Sequence, residues 1–69
     1  MYQVENANTE KLSECDIVCL TKQFEDIAAN TEGTIVYAYS SADEYEVEFV
    51  INDTSIVRTI SGDCLIKKK

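Results

Sequence analysis

Glu44, Glu46 and Glu48 occupy every second position of one short stretch, with Asp43 beside them and Asp53 a few residues on. Carboxylates at this density have two chemical uses. On a strand, side chains at i and i+2 share a face about 6.6 Å apart, which overlaps the separation at which carboxylate pairs cleave glycosides. Their oxygens are also the ligands that a hard cation such as calcium prefers. Spacing alone satisfies neither use. A solvated strand face excludes no water and raises no carboxyl pKa, and a chain of 69 residues leaves little room for a catalytic cleft. The ligand spacing of known calcium loops is absent as well. The row reads as a charged, solvated face, with no catalytic residue, no cofactor and no metal expected.

Nucleophilic chemistry is equally unsupported. The chain has no histidine, which closes the arrangements in which imidazole activates a serine or cysteine. Its three cysteines, Cys15, Cys19 and Cys64, cannot all pair within one chain. If Cys15 and Cys19 share a strand, their Cα atoms stand about 13 Å apart, well beyond the ~7 Å limit of a disulfide. A structural zinc site wants four N or S ligands, which a lone Cys-x-x-x-Cys does not supply. Cys19 and Cys64 are expected to act as small buried hydrophobes, with free thiols in a reducing compartment. Met1 to Asn6 show neither the basic nor the apolar run of a secretory leader. No stretch is apolar for the ~20 residues of a membrane span, so a cytoplasmic protein is expected.

The net charge is −7, from 13 acidic against 6 basic residues. Phosphate backbones are bound by Lys and Arg, and here the single arginine is Arg58, with few lysines outside Lys67 to Lys69. Direct nucleic-acid binding is not expected. A basic protein surface is the natural complement of such a field, which speeds encounter, although acidity also serves solubility alone. Tyr37 and Tyr39 add large, stiff side chains of the type enriched at interface hot spots. A barrel core with their hydroxyls at its rim is the reading that stands ahead of an interface. The candidate partner-binding set is therefore Tyr37, Tyr39, Asp43, Glu44, Glu46, Glu48 and Asp53.

The elements that must position these residues are short strands. Residues 1–13 read as a loose N-terminal arm, with a single helical turn over Thr9 to Glu14 at most, and residues 14–69 as one small domain. Asp16 to Thr21 is a compact run rich in β-branched residues. Lys22 to Thr31 follows as an excursion in which Phe24 and Ile27 fold over the core; a short helix from Gln23 to Ala29 is the alternative. Gly33 opens a strand, Thr34 to Tyr39, in which Ile35, Tyr37 and Tyr39 share one face and Val36 and Ala38 the other, either of which suits the interior. After a turn at Ser40 to Asp43, Tyr45, Val47, Phe49 and Ile51 form an inward face by strict alternation. Asn52 to Thr54 turn the chain into Ser55 to Ile60, where Ile56 and Ile60 flank Arg58 in parity. Ser61 to Asp63 break that strand before Cys64 to Ile66. Five short strands without proline or a crossover helix point to an all-β fold, a small antiparallel barrel.

Asp16-Ile17-Val18-Cys19-Leu20, Gly33-Thr34-Ile35-Val36, Tyr45-Glu46-Val47-Glu48-Phe49 and Asp63-Cys64-Leu65 resemble the short bacterial proteins catalogued as domain of unknown function 4926. The resemblance spans residues 14–66. It implies a small five-stranded SH3-like barrel and carries no established activity. The family pattern places a Gly-Asp pair shortly before the glycine strand and often a proline in the first loop. Here Ala28-Ala29-Asn30-Thr31-Glu32 stands in that place, with Asn30 able to supply a left-handed residue.

The function these readings suggest is non-enzymatic: an acidic module that docks on a protein partner, as an immunity- or antitoxin-like neutraliser or another inhibitor covering a basic site. Two further readings are a structural accessory subunit of a larger enzyme and a homodimer built on edge strands.

Overall fold

The alternation of Glu44 to Ile51 becomes the longest inward face of the molecule. In the computed structural model, which describes residues 12–68, Tyr45, Val47 and Phe49 are buried and Ile51 half-buried, while Glu44, Glu46 and Glu48 point the other way. The arm over residues 1–13 lies outside the described residues except for Leu12 and Ser13, as does the first half of the helical turn at Thr9 to Glu14. The strands are β1 (Ile17–Leu20), β2 (Glu32–Ala38), β3 (Glu44–Ile51), β4 (Thr54–Ser61) and β5 (Leu65–Lys67), with a 3-10 turn at Gly62–Cys64. They form one five-stranded sheet in the order β4-β3-β2-β1-β5, antiparallel at every junction. The all-β, five-stranded antiparallel expectation holds. Among the described residues no helix is long and apolar enough to cross a membrane.

The sheet is curled, and its connections require this. Ser61 to Leu65 covers four residues, a reach of about 14 Å at most, whereas the borders of a flat five-stranded sheet stand about 19 Å apart. The chain nevertheless passes from one border, β4, to the other, β5, through the 3-10 turn alone. Curling encloses the core: Val18 and Leu20 of β1, Ile35 of β2, Tyr45, Val47 and Phe49 of β3, Ile60 of β4, Leu65 of β5, and Ile27 from the loop. Gly33 lets β2 approach β3 closely. A Cβ built there would lie 2.7 Å from Val47 Cγ1 and 2.8 Å from Phe49 Cε1, so the missing side chain is room already filled by the core.

Two turns fix the registers. Asn52 and Asp53 both take positive φ, 52° and 66°, the backbone of a two-residue hairpin whose twist matches the strands it joins. Between β1 and β2 the chain reverses tightly at Glu25 and Asp26, with Phe24 and Ile27 exchanging backbone hydrogen bonds of 2.9 and 2.8 Å. The i, i+3 spacing of those two apolar residues thus serves a reversal rather than a helix over 23–29. Ile27 is buried and Phe24 half-buried against the core. Asn30 takes φ 71° and donates to the Leu20 carbonyl at 2.8 Å, the left-handed role expected of it.

β2 departs from simple alternation. Ile35 pairs with Val47 and Tyr37 with Glu46, so that Val36 is an extra residue, a β-bulge. Parity reverses across it. Ile35 and, further on, the half-buried Ala38 face the core, while Tyr37 and Tyr39 are 50% and 39% exposed. The expectation that Ile35, Tyr37 and Tyr39 share a face is corrected, because one face cannot hold a buried isoleucine and two solvent-facing tyrosines without such a slip. The cysteines also differ from expectation. Cys19 and Cys64 are half-buried, not enclosed, while Cys15 lies exposed in the turn before β1.

Candidate functional site

The outer face of the curled sheet is polar at its centre because the strand residues opposite in parity to the core are glutamates and hydroxyls. Across it, Tyr37 of β2, Glu46 of β3 and Thr59 of β4 are direct cross-strand partners, and Thr34, Glu48 and Val57 form the next row. The Glu46 carboxylate accepts hydrogen bonds from the Tyr39 hydroxyl and from Thr59 Oγ1, the latter at 2.8 Å. Glu48 accepts from the Ser55 hydroxyl. The Tyr37 and Tyr39 rings stand edge to face, with centroids 4.9 Å apart and planes at 77°, an arrangement that aromatic quadrupoles favour.

These bonds polarise the cluster. Tyr39's hydrogen bond, followed by that of Thr59, holds the Glu46 carboxyl below its ordinary value. The same Glu46 bond is the main cause that raises the Tyr39 phenol, with some burial and the neighbouring charges, Glu44 among them, acting in the same direction. Glu46 is therefore an ionised anchor that fixes a tyrosine ring. Glu44 is exposed at the same end of β3, where its carbonyl accepts from the Tyr39 amide at 3.1 Å. Tyr37, Tyr39, Glu44 and Glu46 form one patch, and Glu48 continues it one step along the strand.

The two aspartates do not belong to that patch. Asp43 turns toward the rim of the core, beside the Tyr45 hydroxyl. Burial, and secondarily the Asp43 carboxylate, raise the Tyr45 phenol. Asp43 also packs over Gly62, where a Cβ would collide with its carboxylate, and its carbonyl accepts from the Gly62 amide at 2.9 Å. Asp43 is thus a brace between β3 and the 3-10 turn. Asp53 sits at the tip of the β3–β4 hairpin, at the far end of a strand about 24 Å long. A concavity of 580 Å³ lies beside the patch, lined among others by Leu12, Ala38, Tyr39, Asp43 and Tyr45.

Thr59 and Ser55 are the members that the sequence reading left out. Their signal was present: once Ile56 and Ile60 are assigned inward, parity puts Ser55 and Thr59 outward, facing the glutamates. Chemically, the face offers a fixed aromatic pair and a row of acceptors. The carboxylates run along a strand instead of converging, and among the described residues no group of three or more Cys, Asp or Glu side chains is arranged to hold a metal ion. No family model, curated protein or solved structure matches this chain.

Proposed function

We propose that the outer face bearing Tyr37, Tyr39, Glu44, Glu46 and Glu48 docks, without catalysis, on a basic surface of a protein partner, in the manner of an immunity- or antitoxin-like neutraliser or a comparable inhibitor. The observation that carries this reading is the bulge at Val36, which turns two tyrosines outward beside the glutamate row. Large half-exposed aromatics next to charge are the composition of interface hot spots, and a net charge of −7 steers a cationic target toward them. The scaffold that fits this role is a small SH3-like barrel. Its support is the curl of the sheet and the Glu25–Arg58 ion pair of 3.2 Å, which joins the β1–β2 loop to β4 on the sheet's far border. The half-buried thiols suit a reducing, cytoplasmic setting.

The test is a comparison of wild type with Tyr37→Ala/Glu44→Lys, which leaves the Tyr39–Glu46–Thr59 cluster in place. Both proteins are immobilised and exposed to host lysate, and any protein that wild type retains is purified, its affinity measured for both proteins and its association rate measured against salt. A docking partner binds the variant at least about tenfold more weakly, and its on-rate on wild type falls steeply with ionic strength. Equal affinity for both proteins sinks the reading. A second reading, an accessory subunit that pairs by a strand edge, is favoured by the open border of β4 and gives a salt-insensitive on-rate.

A further inference from the structure

We propose that the border of β4, which no other described strand covers, is a pairing surface for a second copy of this chain, and that Arg58 is the latch that closes it in the single molecule. The phase of the β3–β4 ladder decides which backbone groups face outward. The Gly62 amide bonds to the Asp43 carbonyl at 2.9 Å, and Thr54, Ile56, Arg58 and Ile60 stand opposite Ile51, Phe49, Val47 and Tyr45. Bonded and non-bonded pairs alternate in an antiparallel ladder, so these four residues exchange hydrogen bonds with β3. The N–H and C=O groups of Ser55, Val57, Thr59 and Ser61 therefore point away from the sheet.

Protein edges are normally blunted by shortness, lysine, proline or inward charge. β5 follows that pattern, with three residues ending in Lys67. β4 has eight, Thr-Ser-Ile-Val-Arg-Thr-Ile-Ser, mostly of high β-propensity, with no proline and no glycine. Its guard is Arg58, whose Nη1 donates to the outward Val57 carbonyl at 3.0 Å while its Nε donates to Glu25 at 3.2 Å. The guanidinium thus occupies an acceptor that a neighbouring strand would use.

Charge selects the occupant. β4 holds none of the 13 acidic residues of a chain with net charge −7, so across this border two copies meet without opposing carboxylates. Antiparallel pairing about Val57 sets each Val57, 47% exposed in the single molecule, beside its counterpart. Ser55 then faces Thr59 of the other copy, and Ile56 faces Arg58. The two β3 glutamate rows stand three strand spacings apart, about 14 Å, beyond the ~8 Å screening length of physiological salt. A strongly basic strand in the same place would set its cations against Arg58. Pairing leaves the outer face open, so it is independent of the docking reading.

Sedimentation velocity of the full chain over rising concentration tests this, with wild type, Arg58→Met, Val57→Pro and the double variant side by side. Val57→Pro deletes an outward N–H that β3 does not use, a position where an edge strand tolerates proline; Thr59→Pro does the same should the first fail to fold. Wild type is expected to form a weak dimer that tightens with added salt. Arg58→Met should tighten it about tenfold or more, and the proline should return either background to monomer. The proposal is overturned if Arg58→Met dimerises no better than wild type, if the proline variants associate unchanged, or if assemblies larger than a dimer form, since a two-fold β4 pair is closed.

Discussion

At the scale of single residues, the side chains with the most chemistry are occupied with structure. Glu46 fixes Tyr39, and Asp43 braces Tyr45 and the 3-10 turn. This has a measurable consequence in alkali. The folded state raises the phenols of Tyr39, chiefly through Glu46, and of Tyr45, chiefly through burial. A group raised in the folded state contributes stability below its unfolded pKa and loses it as pH climbs through the folded value. The protein should therefore lose stability above the ordinary tyrosine range, and ultraviolet titration of Glu46→Gln should bring one phenol back toward its usual pKa while Tyr45 stays raised. Unchanged titration in that variant would show that the Tyr39 bond does not exist in solution. Glu46 acts with the opposite sign, since a lowered carboxyl supports the fold above the ordinary carboxylate range and ceases to do so as pH falls through its folded value. Gly33→Ala is the second residue-scale prediction. Its Cβ would press into Val47 and Phe49, an overpacking that costs about 1–3 kcal/mol. Chemical denaturation should show that loss, and an unaltered midpoint would mean that β2 lies further from β3 than described.

At the scale of elements, what was legible in the sequence and what was not divides at Val36. β3 could be read directly, because Tyr45, Val47 and Phe49 alternate with glutamates and no other register buries them. In β4 the shared parity of Ile56, Arg58 and Ile60 was legible, while the left-handed Asn30 came only from the resemblance, whose family pattern has a Gly-Asp pair near that place. β2 could not be read, since every residue from Ile35 to Tyr39 has enough apolar surface for either face, and a bulge is decided by cross-strand fit that no single strand encodes. Asp43 was misplaced for a related reason: its neighbours suggest a charge row, while its partner, Tyr45, is an inward residue with a hydroxyl to satisfy. The bulge itself is testable by deleting Val36. Without the extra residue, Ile35, Tyr37, Ala38 and Tyr39 alternate regularly, so the tyrosines should stay outside and the raised Tyr39 titration should persist. The lost local twist should lower stability by about 1–2 kcal/mol, within the usual range for single changes. If β2 had no bulge, the same deletion would invert Tyr37 and Tyr39, and their titration would change.

At the scale of the whole molecule, the ladders differ in how far along the chain they reach. β2, β3 and β4 are joined by short turns, whereas β1 pairs with β5, matching Leu20 with Leu65. Closing that separation costs roughly 2 kcal/mol more than closing a turn of a few residues. Hydrogen exchange should therefore find the β3–β4 ladder the slowest to open. The Thr21 and Lys68 amides, which bond across the β1–β5 junction at 2.8 Å each, should exchange sooner. Equal protection of both would mean that the molecule opens as one unit. The β1–β5 pairing also bears on how the protein is made. A ribosome delivers residues at about 5–20 per second, so Leu65 is made about 2–9 s after Leu20. β2, β3 and β4 can pair as they leave the tunnel, but β1 stands beside them with one border bare until β5 follows. The nascent chain is thus most exposed to mispairing in that interval, and a chaperone or a stalled ribosome would act on β1 before any other strand.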